Sequence, residues 1–238
     1  MYAKTIIKDY KNGDKQYRVY KTPLLLETGE RRRNVSRSVT PKTNEELEKE
    51  RKHTEYQNLR RAKVNIIDYC LANEFDMFWT LTFNTERDVD ERCLDRFGDW
   101  IKRMKKKHSQ LSYVFVPEKH KDGCIHFHGV TYGFNGDLVE YKKHKGNTIY
   151  TCQNWKFGFS QVEPIRDIKK ISSYLVKNLS QETVGKGRKK YWCSRGLKRP
   201  TIEYFDYNPM KGLKPDWENE NMQIYNTNDK SQSMKNVP

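Results

Sequence analysis

The sequence predicts an α+β fold in which helices pack on an antiparallel sheet, and three observations carry that prediction. Across residues 75–181 the apolar pattern changes period in the order strand, helix, hairpin, strand, helix. The helical segments carry single apolar stripes, which need a sheet face to cover them. The chain is 238 residues long, 35% hydrophobic and 32% charged, so a core can form without disulfide staples.

Residues 2–22 alternate and carry Asn12-Gly13 between Thr5-Ile6-Ile7 and Tyr17-Arg18-Val19-Tyr20, a hairpin signal. Residues 27–42 are a basic stretch that reads equally as a DNA-contacting arm through Arg31, Arg32 and Arg33 or as a solvated loop. Residues 44–73 read as a long helix, with Leu59, Ile66, Ile67 and Cys70 at helical spacing. Phe78-Trp79-Thr80-Leu81-Thr82-Phe83 is rich in strand formers. Residues 88–107 form a second helix with Cys93, Leu94, Phe97, Trp100, Ile101 and Met104 on one stripe, and Lys105, Lys106 and Lys107 at its C-terminal end, where cations suit the helix dipole. Leu111–Val116, the turn Lys121-Asp122-Gly123, and Cys124–Thr131 make a hairpin. Residues 148–163 hold one more β-like stretch, around Ile149-Tyr150 and Phe157-Gly158-Phe159, and 166–181 a third helix. The tail from Lys214 has little to bury and is expected to be mobile. The division expected is therefore 1–74 for hairpin, basic arm and helix, 75–213 for the main domain, and 214–238 for a polar tail.

The net charge is +15, from 46 Lys+Arg against 31 Asp+Glu. Nucleic acid is the first partner this implies and a membrane surface the second. The five cysteines are odd in number and never closer than 23 positions, which argues against a zinc knuckle and a disulfide framework. The opening MYAKTIIKDY has no apolar signal-peptide core, and no run of about eighteen apolar residues occurs. A reducing, cytoplasmic setting without a membrane is expected.

The sharpest chemical signal is Cys124-Ile125-His126-Phe127-His128-Gly129-Val130. On a strand, alternate side chains share a face, so His126 and His128 project together while Ile125 and Phe127 point the other way. Two imidazoles at that spacing can reach one divalent ion. Glu118, on the other arm of the hairpin, would supply the oxygen ligand that Mg²⁺ or Mn²⁺ prefers, with His120 a rival. The second signal is the helix holding Ile168, Ile171, Leu175 and Leu179 on one stripe, with Tyr174 roughly 120° from its centre at 100° per residue. Lys177 lies one turn beyond Tyr174 on the same face, where its ammonium can steady a phenolate, a phosphate or a leaving oxygen. A phenolic oxygen attacking phosphorus would store the energy of the broken phosphodiester as a phosphotyrosine ester.

Phe78–Phe83, Glu118, His126-Phe127-His128 and Tyr174-Leu175-Val176-Lys177, in that order, resemble the motifs of the HUH endonucleases, and within them the rolling-circle replication initiators of single-stranded DNA phages and plasmids. The resemblance covers about residues 75–181. It implies a five-stranded antiparallel sheet flanked by helices, a ferredoxin-like nuclease fold. It implies a Mg²⁺ or Mn²⁺ site at His126 and His128 with Glu118 as third ligand. It also implies Tyr174 as the nucleophile that keeps the 5′ phosphate and frees a 3′ hydroxyl, with Lys177 as the motif lysine, in a bacterial host cell. Some initiators carry a second tyrosine on this helix; here Lys177 and Asn178 stand there. No Gly-x-x-x-x-Gly-Lys-Ser/Thr occurs, so a helicase, like the host DNA polymerase, would be a separate partner. The basic loop with Lys186, Arg188, Lys189 and Lys190, followed by Trp192, suits single-stranded DNA, where cations track phosphates and aromatics stack on bases. Arg60 and Arg61 would add duplex contacts. The alternatives are a transposase or relaxase with the same site, or a non-catalytic nucleic-acid binder in which Tyr174 is incidental.

Overall fold

The structure, a computed structural model, describes residues 2–10, 12–26, 42–84, 90–119, 123–144, 146–177, 179 and 189–228. In chain order the elements are β1 (Tyr2–Asp9), β2 (Asp14–Leu25), α1 (Asn44–Ala72), β3 (Met77–Leu81), α2 (Asp90–Lys107), β4 (Ser112–Lys119), β5 (Ile125–Tyr132), β6 (Leu138–His144), β7 (Asn147–Cys152), β8 (Ser160–Pro164), α3 (Ile168–Lys177), β9 (Trp192–Cys193), β10 (Thr201–Phe205), β11 (Trp217–Glu218) and β12 (Met222–Asn228). The α+β class holds: all described strand pairs are antiparallel, in two sheets.

The division of the chain differs from the one read in the sequence. Residues 45–198 form one compact unit, and residues 1–44 with 199–238 form another. The long helix thus belongs with the site-bearing unit, not with the N-terminal hairpin.

In the 45–198 unit the sheet runs β6-β7-β8-β3-β5-β4-β9, seven strands where about five were expected. The additional strands are edges: the solvated β6 and the two-residue β9. Period-2 alternation gives this sheet two different faces. On one, Trp79, Leu81, Phe115, Ile125, Phe127 and Val162 meet the α2 stripe of Cys93, Leu94, Phe97, Trp100, Ile101 and Met104. On the other, Val114, Val116 and Val130 meet Ala62, Ile66 and Cys70 of α1 and Leu175 of α3, with Leu179 just beyond. Burial there pushes the Cys70 thiol up to about 12, so it is an inert packing group. Gly129 is required by close approach: a Cβ would stand 2.2 Å from the Phe115 ring. That ring can therefore lie flat over β5, which keeps the strand carrying the histidines tight against β4.

The second unit is a sheet ordered β10-β1-β2-β12-β11. The Asn12-Gly13 turn forms as read: Gly13 takes φ +90°, and the Asn12 side-chain oxygen accepts from the Asp14 amide at 2.9 Å. The expected mobile tail is corrected over residues 217–228. β12 pairs with β2 from Met222↔Tyr20 to Asn228↔Asp14, and Tyr225 is buried against Val19 and Met210. The pairing joins segments about two hundred residues apart, and no local pattern announces it.

Candidate active site

The site sits on the α1/α3 face of the seven-stranded sheet, where the apolar cluster gives way to polar groups. Antiparallel register stacks equivalent residues in rows: Val116, His128, Thr80 and Gln161 in one, Glu118 and His126 in the next. His126 and His128 share that face, while Ile125 and Phe127 enter the opposite core. The hairpin turn residues His120, Lys121 and Asp122 lie outside the described residues.

His128 is held on several sides. Its Nδ1 faces the Thr80 hydroxyl at 3.1 Å and its Nε2 faces the Glu118 carboxylate at 2.9 Å. Phe78 stacks on its ring, with centroids 6.0 Å apart and planes within 5°. Phe78 also meets the Tyr174 ring edge-on at 5.9 Å. His126 lies opposite Glu118 in the ladder.

α3 delivers the tyrosine. Asp167 caps it, its carboxylate accepting from the Lys170 amide at 3.1 Å, and that bond holds the carboxyl below its usual range. Leu175 turns into the core, which leaves Tyr174 40% exposed on the polar flank, as its helical angle foretold. Its hydroxyl lies 3.3 Å from His128 Nε2 and donates to Glu118 at 3.5 Å. Burial pushes the phenol pKa up, and the neighbouring Glu118 charge and hydrogen bond push it further. The phenol is therefore protonated at neutral pH as long as the Glu118 charge is uncompensated.

The donor set fits a divalent cation at Glu118 and His128. Two ligand atoms about 2.1 Å from one ion and at right angles stand about 3 Å apart, and here the separation is 2.9 Å. The Thr80 hydroxyl at Nδ1 is the kind of outer partner that fixes a ligating imidazole's tautomer. Among the described residues, however, no three His, Cys, Asp or Glu side chains gather as a metal cage, so His126 is adjacent to the pair without completing one.

The other sequence candidates fall as follows. Lys177 is the exposed last residue of α3. Lys189 is exposed and Lys190 half-buried, while Arg31, Arg32, Arg33, Lys186 and Arg188 lie outside the described residues. Arg60 and Arg61 are exposed on α1. Trp192 is corrected: its ring packs edge-on against Phe97 at 5.4 Å and Phe127 at 5.3 Å, on the α2 face and away from Tyr174. A cavity of about 520 Å³ beside it is lined by Glu91, Asp95 and Asp99 as well as Lys102 and Lys189, an electrostatic setting poor for a phosphate chain. The sequence reading missed Thr80 and Phe78 as site residues. Their signal was available in the alternation of β3, which puts both on the His128 face.

A family of replication-associated proteins, the ORF2 type, matches residues 76–183. The match supports a replication-associated protein. It runs from the start of β3 past the end of α3 and so contains Thr80, Glu118, both histidines and Tyr174. No curated protein and no solved structure matches the chain. Among the described residues, no helix is long and apolar enough to cross a membrane.

Proposed function

We propose that the chain nicks and rejoins single-stranded DNA at a replication origin, as the initiator of rolling-circle replication in a phage or plasmid of a bacterial host. The observation that carries this reading is the convergence of the Tyr174 hydroxyl, His128 Nε2 and Glu118 within 3.5 Å of one another. A surface tyrosine has no reason to be brought to a paired carboxylate and imidazole.

In this reading the Tyr174 oxygen bonds to the scissile phosphorus as the bond from phosphorus to the 3′ oxygen breaks. The phenol loses its proton and the 3′ oxygen gains one, leaving a 5′-phosphotyrosine ester and a free 3′ hydroxyl. The ester conserves the phosphodiester energy, so a later 3′ hydroxyl reverses the step without a nucleotide cofactor. Glu118 and His128, with His126 beside them, would hold Mg²⁺ or Mn²⁺; when bound, such an ion supplies positive charge against the phosphate. Thr80 orients His128, Phe78 braces both rings, and α3 fixes the angle of attack. Lys177 offers a cation near the leaving oxygen. Strand opening and synthesis fall to a separate helicase and the host polymerase.

The test is a labelled single-stranded origin hairpin incubated with Mn²⁺ and run on a denaturing gel. Wild type leaves a covalent protein–DNA adduct and Tyr174→Phe leaves none. An equal adduct from the mutant sinks the nucleophile assignment, and no adduct from wild type on any origin DNA favours a non-catalytic binder.

A further inference from the structure

The sheet of residues 1–44 and 199–238 has one covered face and one open face. On the covered face Val19 and Tyr225 pack under Met210, and the Thr5 hydroxyl donates to the Tyr207 carbonyl at 2.6 Å. On the other face the register is continuous across all five strands: Tyr204 pairs with Ile6, Ile6 with Arg18, Arg18 with Ile224, and Ile224 with Trp217. Residues directly opposite in a ladder share a face, so these five form one row. Its ends are open, with Tyr204 at 47% and Trp217 at 48% exposure. The next row is Ile202, Lys8, Gln16 and Asn226, in which Lys8 is buried and Ile202 is 47% exposed. Arg18 stands in the middle of the first row, its Nε donating to Gln16 at 2.8 Å, with the rest of its guanidinium unconstrained by that bond.

Large aromatics left open on a sheet face are informative where a scattered exposed leucine is not. Aromatic rings flanking a cation, on a flat antiparallel sheet, match the chemistry of single-stranded nucleic acid: bases stack on rings while arginine meets phosphate. At about 4.8 Å per strand the row spans roughly 19 Å, room for several nucleotides. The charge is complementary, since β1 and β2 carry Lys4, Lys8, Lys15, Arg18 and Lys21 against Asp9 and Asp14. We propose that this face is a base-stacking platform that holds single-stranded DNA without sequence preference. It goes beyond the nicking reading and does not depend on it, since none of its residues takes part in the chemistry at Tyr174.

Trp217 is the one exposed tryptophan of the five, so its emission reports the platform directly. The full chain, without divalent metal, is titrated with fluorescein-labelled dT₁₅, and affinity is read by anisotropy alongside quenching of tryptophan emission. Trp217→Ala and Tyr204→Ala each weaken binding by about tenfold, in line with the loss of one stacked base, and Trp217→Phe restores most of it. Arg18→Ala weakens binding and lowers the salt slope by about one. Both aromatics are exposed edge-strand residues, and an unchanged melting temperature verifies that the variants fold. Binding by the double alanine variant within twofold of wild type overturns the proposal. So does quenching that persists in Trp217→Phe, or equal binding of a duplex of the same length. Tighter binding of U₁₅ than of dT₁₅ overturns the assignment to DNA. At saturating DNA with Mn²⁺ the double variant still forms the Tyr174 adduct, so failure of either reading leaves the other standing.

Discussion

On the α2 side of the seven-stranded sheet, Phe97 and Phe127 stack at 3.8 Å within a shell of other apolar rings. On the opposite side, one residue along the same strand, His128 meets a hydroxyl, a carboxylate and a phenol. The difference is only a step in the pleat. It teaches that one β-strand can be a stability element and a chemical element at once, because alternation sends successive side chains into separate environments. Phe127 anchors β5 in the dense core, and that anchoring lends His126 and His128 their rigidity.

Substitutions on the two faces should separate folding from chemistry. The largest effect belongs to Tyr174→Phe: adduct formation falls by at least about a thousandfold, as when a nucleophile is removed, while the melting temperature is unchanged. Phe127→Ala does the reverse and costs about 3–5 kcal/mol of stability, read as a lower denaturant midpoint, because a fully buried ring is lost. Thr80→Val probes the link between the faces. It keeps the strand and its volume but removes the hydroxyl at His128 Nδ1, so the Mn²⁺ needed for half-maximal adduct formation rises about ten- to hundredfold. Loss of stability without a shift in metal dependence would make Thr80 a packing residue.

The smallest effect concerns His108, next to the C-terminal end of α2. Its ring is 7% exposed and tilted against Phe134 at 4.6 Å, and Nε2 has no hydrogen-bond partner among the described residues. Burial pushes its pKa down, Lys107 beside it pushes the same way, and Asp137 opposes them. The unfolded chain therefore binds this proton more readily than the folded one. Stability from neutral His108 is full above the ordinary histidine value of about 6.5 and is lost as pH falls from there towards the lowered folded value. Melting temperature against pH should slope more gently through that window in His108→Leu. An unchanged slope would show that His108 contributes nothing to acid sensitivity.

Much of the site was legible because its signals are local. His-x-His on a strand places two imidazoles together whatever surrounds it, and the angular position of Tyr174 against its stripe follows from 3.6 residues per turn. The hairpin turn fixed which residue of β4 would oppose His126, and that residue is Glu118. Thr80 and Phe78 were harder, since their roles depend on β3 lying beside β5, a pairing across nearly fifty residues. Trp192 was misread for a related reason. Beside a run of lysines it suggested a stacking ring, but β9 pairs with β4 and points the indole into the core.

By itself, then, the sequence determined the helices, the hairpins and the faces on which the histidines and Tyr174 would lie, because those follow from the period of the backbone and from local turn chemistry. Tertiary structure alone decided that β12 would complete a sheet with β1 and β2, that α1 would cover the site-bearing sheet, and that Tyr174 would stop 3.3 Å from His128. Those outcomes depend on pairing and packing between segments far apart in the chain. Their energy comes from ladders and buried area that exist only once both partners are in place.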